Sequence, residues 1–272
     1  MIRRPPRSTP SNSSAASDVY KRQPLLEQVF NGASFVFHQA AIPSVPQSID
    51  NPLLANEANV SGTLNVLVAA RNKGVKKVIF ASSSSVYGDT PSLPKHESML
   101  PKPQSPYAAT KLAGEYYCQV FQQVYGLATV YLRYFNVYGP RQDPDSQYAA
   151  VIPIFIKRLS EGKPPIIFGD GTQSRDFIFV EDVVRANIRA AETSATGLFN
   201  IARGETINID ELARLIASIM GKDIEPIYEE PRPGDVKHSL ADVSKAKTIG
   251  YEPQYSLEEG LKETIRGTED AM

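Results

Sequence analysis

The sequence predicts an α/β protein with a doubly wound parallel sheet, and three observations carry that prediction. Short apolar runs alternate with amphipathic stretches, as strand–helix–strand units require. The clearest amphipathic stretches stop at a glycine, at Gly74, Gly126 and Gly221. No apolar run approaches the roughly 18 residues that would span a bilayer.

Composition narrows the class. A chain of 272 residues can form one large α/β domain or two lobes sharing a core. The formal net charge of -1 gives no global attraction to nucleic acid or an anionic membrane, so any anion site must be local. One cysteine, Cys118, excludes an internal disulfide framework and suits a cytoplasmic setting.

Residues 1–23 are rich in Ser, Pro and Arg without helical or strand period, and three readings stand. A transit peptide matches the composition but should also be amphipathic. A disordered tail fits composition alone. The reading favoured is a non-native segment, because SSAASDVYKRQ looks like translated sequencing-adapter read-through. In each case the segment carries no function.

From residue 24 the elements follow in order. Ser34–Phe37 begins a buried parallel strand that runs into His38, Gln39, Ala40 and Ala41. Asn56–Asn72 carries Val60, Leu64, Leu67 and Val68 at helical spacing. Lys77–Ala81 is a second strand entering four serines. A helix from about Tyr107 to Tyr125 is expected to bury Ala109, Ala113, Tyr116, Val120 and Val124. Thr129–Arg133 is a third strand. The C-terminal half is irregular and Pro-rich, as a small lobe grafted onto the sheet would be. One helix there is well signalled: Asn208 caps it, Glu211 completes a capping box, and Ile207 staples onto Leu212.

Ligands of open parallel sheets bind beyond the carboxyl ends of the strands, where Ser82–Ser85 lie. Tyr107 and Lys111 are four residues apart at a helix start, so they share a face. A phenol titrates near pH 10, too high for a cellular base, and a nearby ammonium favours the phenolate. A serine hydroxyl can then direct the reacting hydroxyl. A Tyr and a Lys also fall four apart by accident on solvated helices. Among 13 tyrosines, however, only Tyr107 has Lys four residues on, and it follows the serine cluster.

Five motifs now occur in order: SSSSVYG (82–88), SPYAATK (105–111), LRYFNVYGPRQ (132–142), DGTQSRDFIFVED (170–182) and RPGDVKHSLAD (232–242). Together they resemble the extended short-chain dehydrogenase/reductases, within the NAD-dependent epimerase/dehydratase family. The nearest likeness is to nucleotide-sugar 4-epimerases acting on UDP-glucose or UDP-N-acetylglucosamine. The resemblance implies a Rossmann-like sheet over residues 24–138 and 180–207, with a nucleotide-sugar lobe over 139–179 and 208–272. It implies NAD as cofactor and a UDP-sugar as substrate. Tyr107 would be the acid/base, Lys111 would lower its pKa and hold the nicotinamide ribose, and Ser83, with Ser84, would bond the sugar C4 hydroxyl. His38, Ala40, Ala41, Asn59 and Tyr134 would line the cofactor, His38 through its backbone. Asn136, Arg175, Arg232 and Asp235 would meet the substrate, the two arginines at its diphosphate. Phe168 would stack on the uracil, although a core phenylalanine reads the same. A small residue at Ser239 would admit an N-acetyl group. Relatives form homodimers through a four-helix bundle, which implies the helices starting near Asn56 and Tyr107, with Cys118 close by.

Relatives that eliminate water as 4,6-dehydratases place carboxylates just before the Val-Tyr-Gly. Here those positions are Ser84 and Ser85, so epimerisation is favoured. A dehydratase or decarboxylase is the second reading, and a UDP-sugar-binding module using Phe168, Arg175 and Arg232 is the third.

A dinucleotide fold of this kind also needs a Gly-rich turn after its first strand. The first glycine is Gly32, and Gly-x-x-Gly-x-x-Gly occurs nowhere. The expectation is a sheet missing its first βαβ portion, hence a destabilised and inactive chain.

Overall fold

A computed structural model describes residues 23–144, 150–231 and 237–269. Helix α1 (Gln23–Val29) precedes the edge strand β1 (Phe35–His38). Two short helices, α2 (Val45–Asp50) and α3 (Pro52–Asn56), lead through a π turn at Glu57–Ser61 into α4 (Gly62–Asn72). Strand β2 (Lys77–Ser83) enters a 3-10 turn at Ser84–Tyr87, and α5 (Pro106–Tyr125) returns to β3 (Ala128–Tyr134). With β8 (Gly197–Ile201) these strands form a parallel sheet in the order β1-β2-β3-β8.

Both faces are covered at β2, which is why residues 78–81 read as an unbroken apolar run rather than an alternating one. The edge strand β1, expected to be buried, instead leaves Phe35 and Phe37 exposed, because no strand or helix among the described residues covers that face. Val78 and Phe80 pack with Leu67 of α4 and Cys118 and Phe121 of α5. Ile79 packs on the other face with Ala186 and Ala190 of α7 (Val180–Glu192). Lys77, buried at the start of β2, donates Nζ to Ala190 O at 2.9 Å and also to Thr193 O, capping the end of α7.

The remaining elements form the second core. Strand β4 (Asn136–Tyr138) pairs with β7 (Phe177–Phe179), β5 (Ile166–Phe168) with β10 (Ile227–Glu229), and β6 (Ser174–Arg175) with β9 (Ile207–Asn208). Helices α6 (Val151–Ser160), α8 (Ile209–Ile219) and α10 (Leu257–Glu269) supply Phe155, Leu159, Leu212, Ile216 and Leu261 to one cluster. A short α9 (Ser244–Lys247) packs at β8. The Asn208/Glu211 capping box forms at the start of α8 as expected, and Ile207 packs on the cluster that holds Leu212.

Two helices differ from the sequence reading. The expected helix over 56–72 is interrupted by the π turn, which turns Asn59 inward to a buried position. More instructively, α5 presents the other face. Ala109 is exposed and Ala113 half-buried, while Tyr116, Val120 and Val124 are 55%, 45% and 65% exposed. The inward face carries Ala108, Lys111, Gly114, Glu115, Cys118 and Phe121. Two charged residues sit there because each finds buried polar partners, so hydrophobicity alone selected the wrong stripe. Cys118 accordingly lies in the core, not at the outward face of α5.

Candidate active site

The carboxyl ends of β1, β2 and β3 bring the predicted chemistry together. Ser105 caps α5, its side chain accepting from Ala108 N at 3.1 Å, so Tyr107 stands in the first turn. The Tyr107 phenol faces the Ser83 hydroxyl, which pulls its pKa down. Ser83 caps the 3-10 turn and accepts from Ser85 N at 3.2 Å and from Ser85 Oγ at 2.9 Å. Ser84, half-buried, opens that turn. One turn into α5, Lys111 donates Nζ to Ala81 O at 2.8 Å, and Nζ lies 5.8 Å from the centre of the Tyr107 ring.

Burial dominates the electrostatics. It holds the Tyr107 phenol above its usual range, against the opposing pull of the Ser83 hydroxyl. It lowers the Lys111 ammonium to about 8. The expected lowering of the phenol by Lys111 is not seen: burial raises it, Ser83 alone pulls it down, and Nζ is engaged with the Ala81 carbonyl.

The groups read as lining the cofactor are close by. Thr63 donates to Asn59 O at 2.5 Å, so the His38–Thr63 contact at 2.8 Å uses Nε2–H of a neutral imidazole. Burial first, then the charge of Lys111, lowers His38 to about 4, consistent with a packed strand-end histidine. Asn59 holds the loop after β1 by accepting from Ile42 N at 2.8 Å and donating to Ile42 O at 3.1 Å, and it donates to Thr110 of α5 at 3.0 Å. Ala40 is exposed and Ala41 half-buried on the approach to that loop. The Tyr134 hydroxyl donates to Asn187 Oδ1 at 3.0 Å and accepts from Gln39 at 3.1 Å. These residues fit the nicotinamide-ribose end of NAD, since backbone and neutral side chains surround one cation, Lys111.

A second group lies two residues past β3. A cavity of about 300 Å³ is lined by Asn136, Phe168, Arg175 and Gln173, among others. Asn136 donates to Asp176 O at 2.9 Å, and Arg175 Nη1 donates to Ser174 O and Lys237 O at 3.0 and 3.2 Å. Ser239, half-buried, donates its backbone N–H to Ser174 O at 3.0 Å, placing it beside β6. Arg232 and Asp235 lie outside the described residues.

Several participants had no readable signal. Buried Ser48 accepts from Tyr107 N at 3.0 Å, joining α2 to the start of α5. Asp176, fully buried, accepts from Arg203 N, Gly204 N and Ala241 N at 2.9, 3.0 and 3.2 Å, gathering three segments behind the cavity. Burial pushes its carboxyl up to about 6 although those bonds pull the other way. Glu115 was findable, since it continues the four-residue spacing of Tyr107 and Lys111.

No helix among the described residues is long and apolar enough to cross a membrane. Comparison with known proteins gives the family. The family model described as NAD dependent epimerase/dehydratase family matches residues 4–209. A UDP-N-acetylglucosamine 4-epimerase from Methanobrevibacter ruminantium M1, solved with UDP-N-acetylmuramic acid, is 46% identical with a TM-score of 0.89, over 91% of this chain and 80% of that one. A UDP-glucose 4-epimerase from Mycolicibacterium smegmatis is 42% identical over 85% of this chain and 74% of its own. A UDP-glucuronate 4-epimerase from Thermodesulfobacterium geofontis is 39% identical over 87% of this chain and 73% of its own. With the family model matching residues 4–209 and relatives above 30% identical covered over more than two thirds of their length, this chain belongs to the NAD-dependent epimerase/dehydratase family.

Proposed function

We propose that the chain is a nucleotide-sugar 4-epimerase of the UDP-N-acetylglucosamine/UDP-glucose type. The observation that carries this reading is the Ser83–Tyr107–Lys111 group followed by Ser84 and Ser85, with no carboxylate at those two positions. When bound, NAD supplies a reversible hydride acceptor for the sugar C4. The chain's own residues handle the proton. Tyr107 accepts it from the C4 hydroxyl, and Ser83 directs that hydroxyl by a hydrogen bond. Lys111, mostly protonated at neutral pH, stands 5.8 Å from the centre of the Tyr107 ring and is assigned to the nicotinamide ribose. His38, Ala40, Ala41, Asn59 and Tyr134 line the rest of that end. An elimination needs a further acid near neutrality, and a serine hydroxyl does not serve.

Asn136, Phe168 and Arg175 are assigned to the nucleotide diphosphate end, with Arg232 and Asp235 by sequence. Ser239 supports an N-acetylated sugar because it is small and stands beside β6, and the 46% identical relative acts on UDP-N-acetylglucosamine. A homodimer is supported by the outward apolar stripe of Tyr116, Val120 and Val124 along α5, spaced four residues apart. A cytoplasmic location is supported by the single, buried Cys118.

Two measurements on the chain test the reading. Calorimetry with NAD comes first, then turnover of acetylated and plain UDP-hexoses. Binding of NAD with interconversion of UDP-N-acetylglucosamine and UDP-N-acetylgalactosamine supports the reading and overturns the expectation of inactivity drawn from the absent Gly-x-x-Gly-x-x-Gly turn. Turnover of plain UDP-galactose alone removes the Ser239 assignment. Release of a 4-keto-6-deoxy product replaces epimerase with dehydratase. UDP binding without NAD binding leaves a sugar-nucleotide-binding module.

A further inference from the structure

Tyr107, Lys111 and Glu115 recur every four residues along α5 and leave the helix as one stripe. The first two meet Ser83 and Ala81 of β2. The third meets a row of polar residues crossing the sheet. Ser82, Arg133 and Asn200 are register partners on β2, β3 and β8, one row before Ser83, Tyr134 and Ile201. Arg133 donates Nε to Glu115 Oε1 at 2.9 Å and Nη2 to Glu115 Oε2 at 2.7 Å, and Ser82 donates its hydroxyl to Oε1. The guanidinium stacks 4.4 Å from the centre of the Tyr87 ring, and Tyr87 donates to Asn200 Oδ1 at 2.7 Å. Glu115 and Arg133 are 4% and 2% exposed.

Stability is a poor reason for such a pair. Taking both charges out of water is costly, and apolar side chains of similar volume hold folds as well or better. A bidentate ion pair supplies what an apolar contact lacks, a fixed length and direction. That matters here because Ser83 and Tyr107 stand on two elements, β2 and α5, and a hydrogen bond between their hydroxyls needs the relative setting of those elements to hold to a fraction of an ångström. Glu115 grips both β2 and β3 two turns along from Tyr107.

We infer that Glu115, held by Arg133 and Ser82, is a positioning residue that sets α5 against β2 and so keeps the Tyr107 phenol on the Ser83 hydroxyl. The inference rests on the reading of Tyr107 and Ser83 as the proton-handling pair, but its test does not need turnover. Ring-carbon-13 tyrosine NMR of the full chain reads it. The Tyr107 signal is the one lost in Tyr107→Phe, and Ser83→Ala shows where it moves when that hydroxyl is gone.

In Glu115→Leu/Arg133→Met the chain melts close to the parent temperature, yet the Tyr107 signal moves most of the way to its Ser83→Ala position. Ser82→Ala, which removes only the hydroxyl on Glu115, moves it the same way by less. A purely structural pair would change melting and leave that signal in place. A Tyr107 signal unmoved in a folded double variant overturns the inference. Should the double variant not fold, Ser82→Ala decides alone, movement supporting it and no movement overturning it. Full turnover in Tyr107→Phe would instead remove the catalytic reading and leave the NMR coupling intact.

Discussion

The two ends of the candidate site are built in opposite ways. At the proton-handling end, Ser83, Tyr107 and Lys111 stand on a seven-residue strand and a 20-residue helix, backed by the buried Ser82–Glu115–Arg133 network. At the sugar-nucleotide end, Arg175 stands on a two-residue strand and its Nη1 is held by backbone carbonyls. Long elements tied by a bidentate ion pair fix angles, whereas short ladders and loops leave room to accommodate a ligand. Substitutions at the first end should therefore remove chemistry, and those at the second should weaken binding.

The largest effect expected is at Tyr107. Tyr107→Phe removes the proton carrier and keeps the ring, so kcat should fall by roughly 10²–10⁴ while UDP-sugar affinity stays near the parent value. Single-turnover and calorimetric measurements separate the two. A large loss of affinity with little change in kcat would reverse the comparison between the ends.

Arg175→Ala comes next and should act in the other direction. Loss of charge-assisted bonds to a diphosphate weakens UDP binding by roughly tenfold to a hundredfold, with the Tyr107 environment unchanged. Titration of UDP by calorimetry checks it. Unaltered UDP affinity would move the diphosphate away from the cavity lined by Asn136, Phe168 and Arg175.

Legibility in the sequence divides along the same line. The strands at 77–81 and 129–133 were readable because their centres, residues 78–81 and 130–132, are short apolar runs set between helical stretches. The Tyr107 and Lys111 positions were readable because chemistry fixes a spacing of four on a helix, whereas Ser83 was singled out by the family resemblance of the serine run that ends β2. The buried face of α5 was misread because Lys111 and Glu115 occupy it while Tyr116, Val120 and Val124 face outward. Periodicity reports which residues are apolar, not which polar ones find partners. The two-residue strands β6 and β9 are too short for any period, so the setting of Arg175 and Ser239 emerged only from long-range pairing. Ser48 and Asp176 act through backbone N–H groups distant in sequence, and no local pattern marks such contacts.

Lys111 provides a pH test of how dry the proton-handling end is. Its ammonium titrates at about 8 in the folded chain, below the unfolded value of 10.5. Folding thus disfavours the charged form, and that destabilisation is complete below pH 8. Between about pH 8 and pH 10 the unfolded chain binds one more proton than the folded one, so stability rises by ~1.4 kcal/mol per pH unit from this group. Relative to the parent, Lys111→Met should be most stabilised near pH 7, less the lost bond to Ala81 O, and the difference should shrink toward pH 10. Urea unfolding at several pH values measures it. A constant difference would mean that water reaches Lys111 and that this end is not closed.

The smallest effect belongs to the lobe that carries Arg175. Asn208 of β9 pairs with Ser174 of β6, and its side chain also caps α8 by accepting from Glu211 N at 2.7 Å. One residue therefore ends a ladder and starts a helix. Asn208→Ala removes the cap and leaves the backbone pairing, which should lower stability by about 1 kcal/mol. Because β6 is only two residues long, fraying at Asn208 reaches Ser174 and Arg175 directly. The variant should weaken UDP binding slightly, by a factor of about two, while the Tyr107 signal stays fixed. Equal disturbance at Tyr107 would show that the two ends are mechanically one unit. Disturbance confined to UDP affinity would show that the short ladders isolate the binding end from the rigid one.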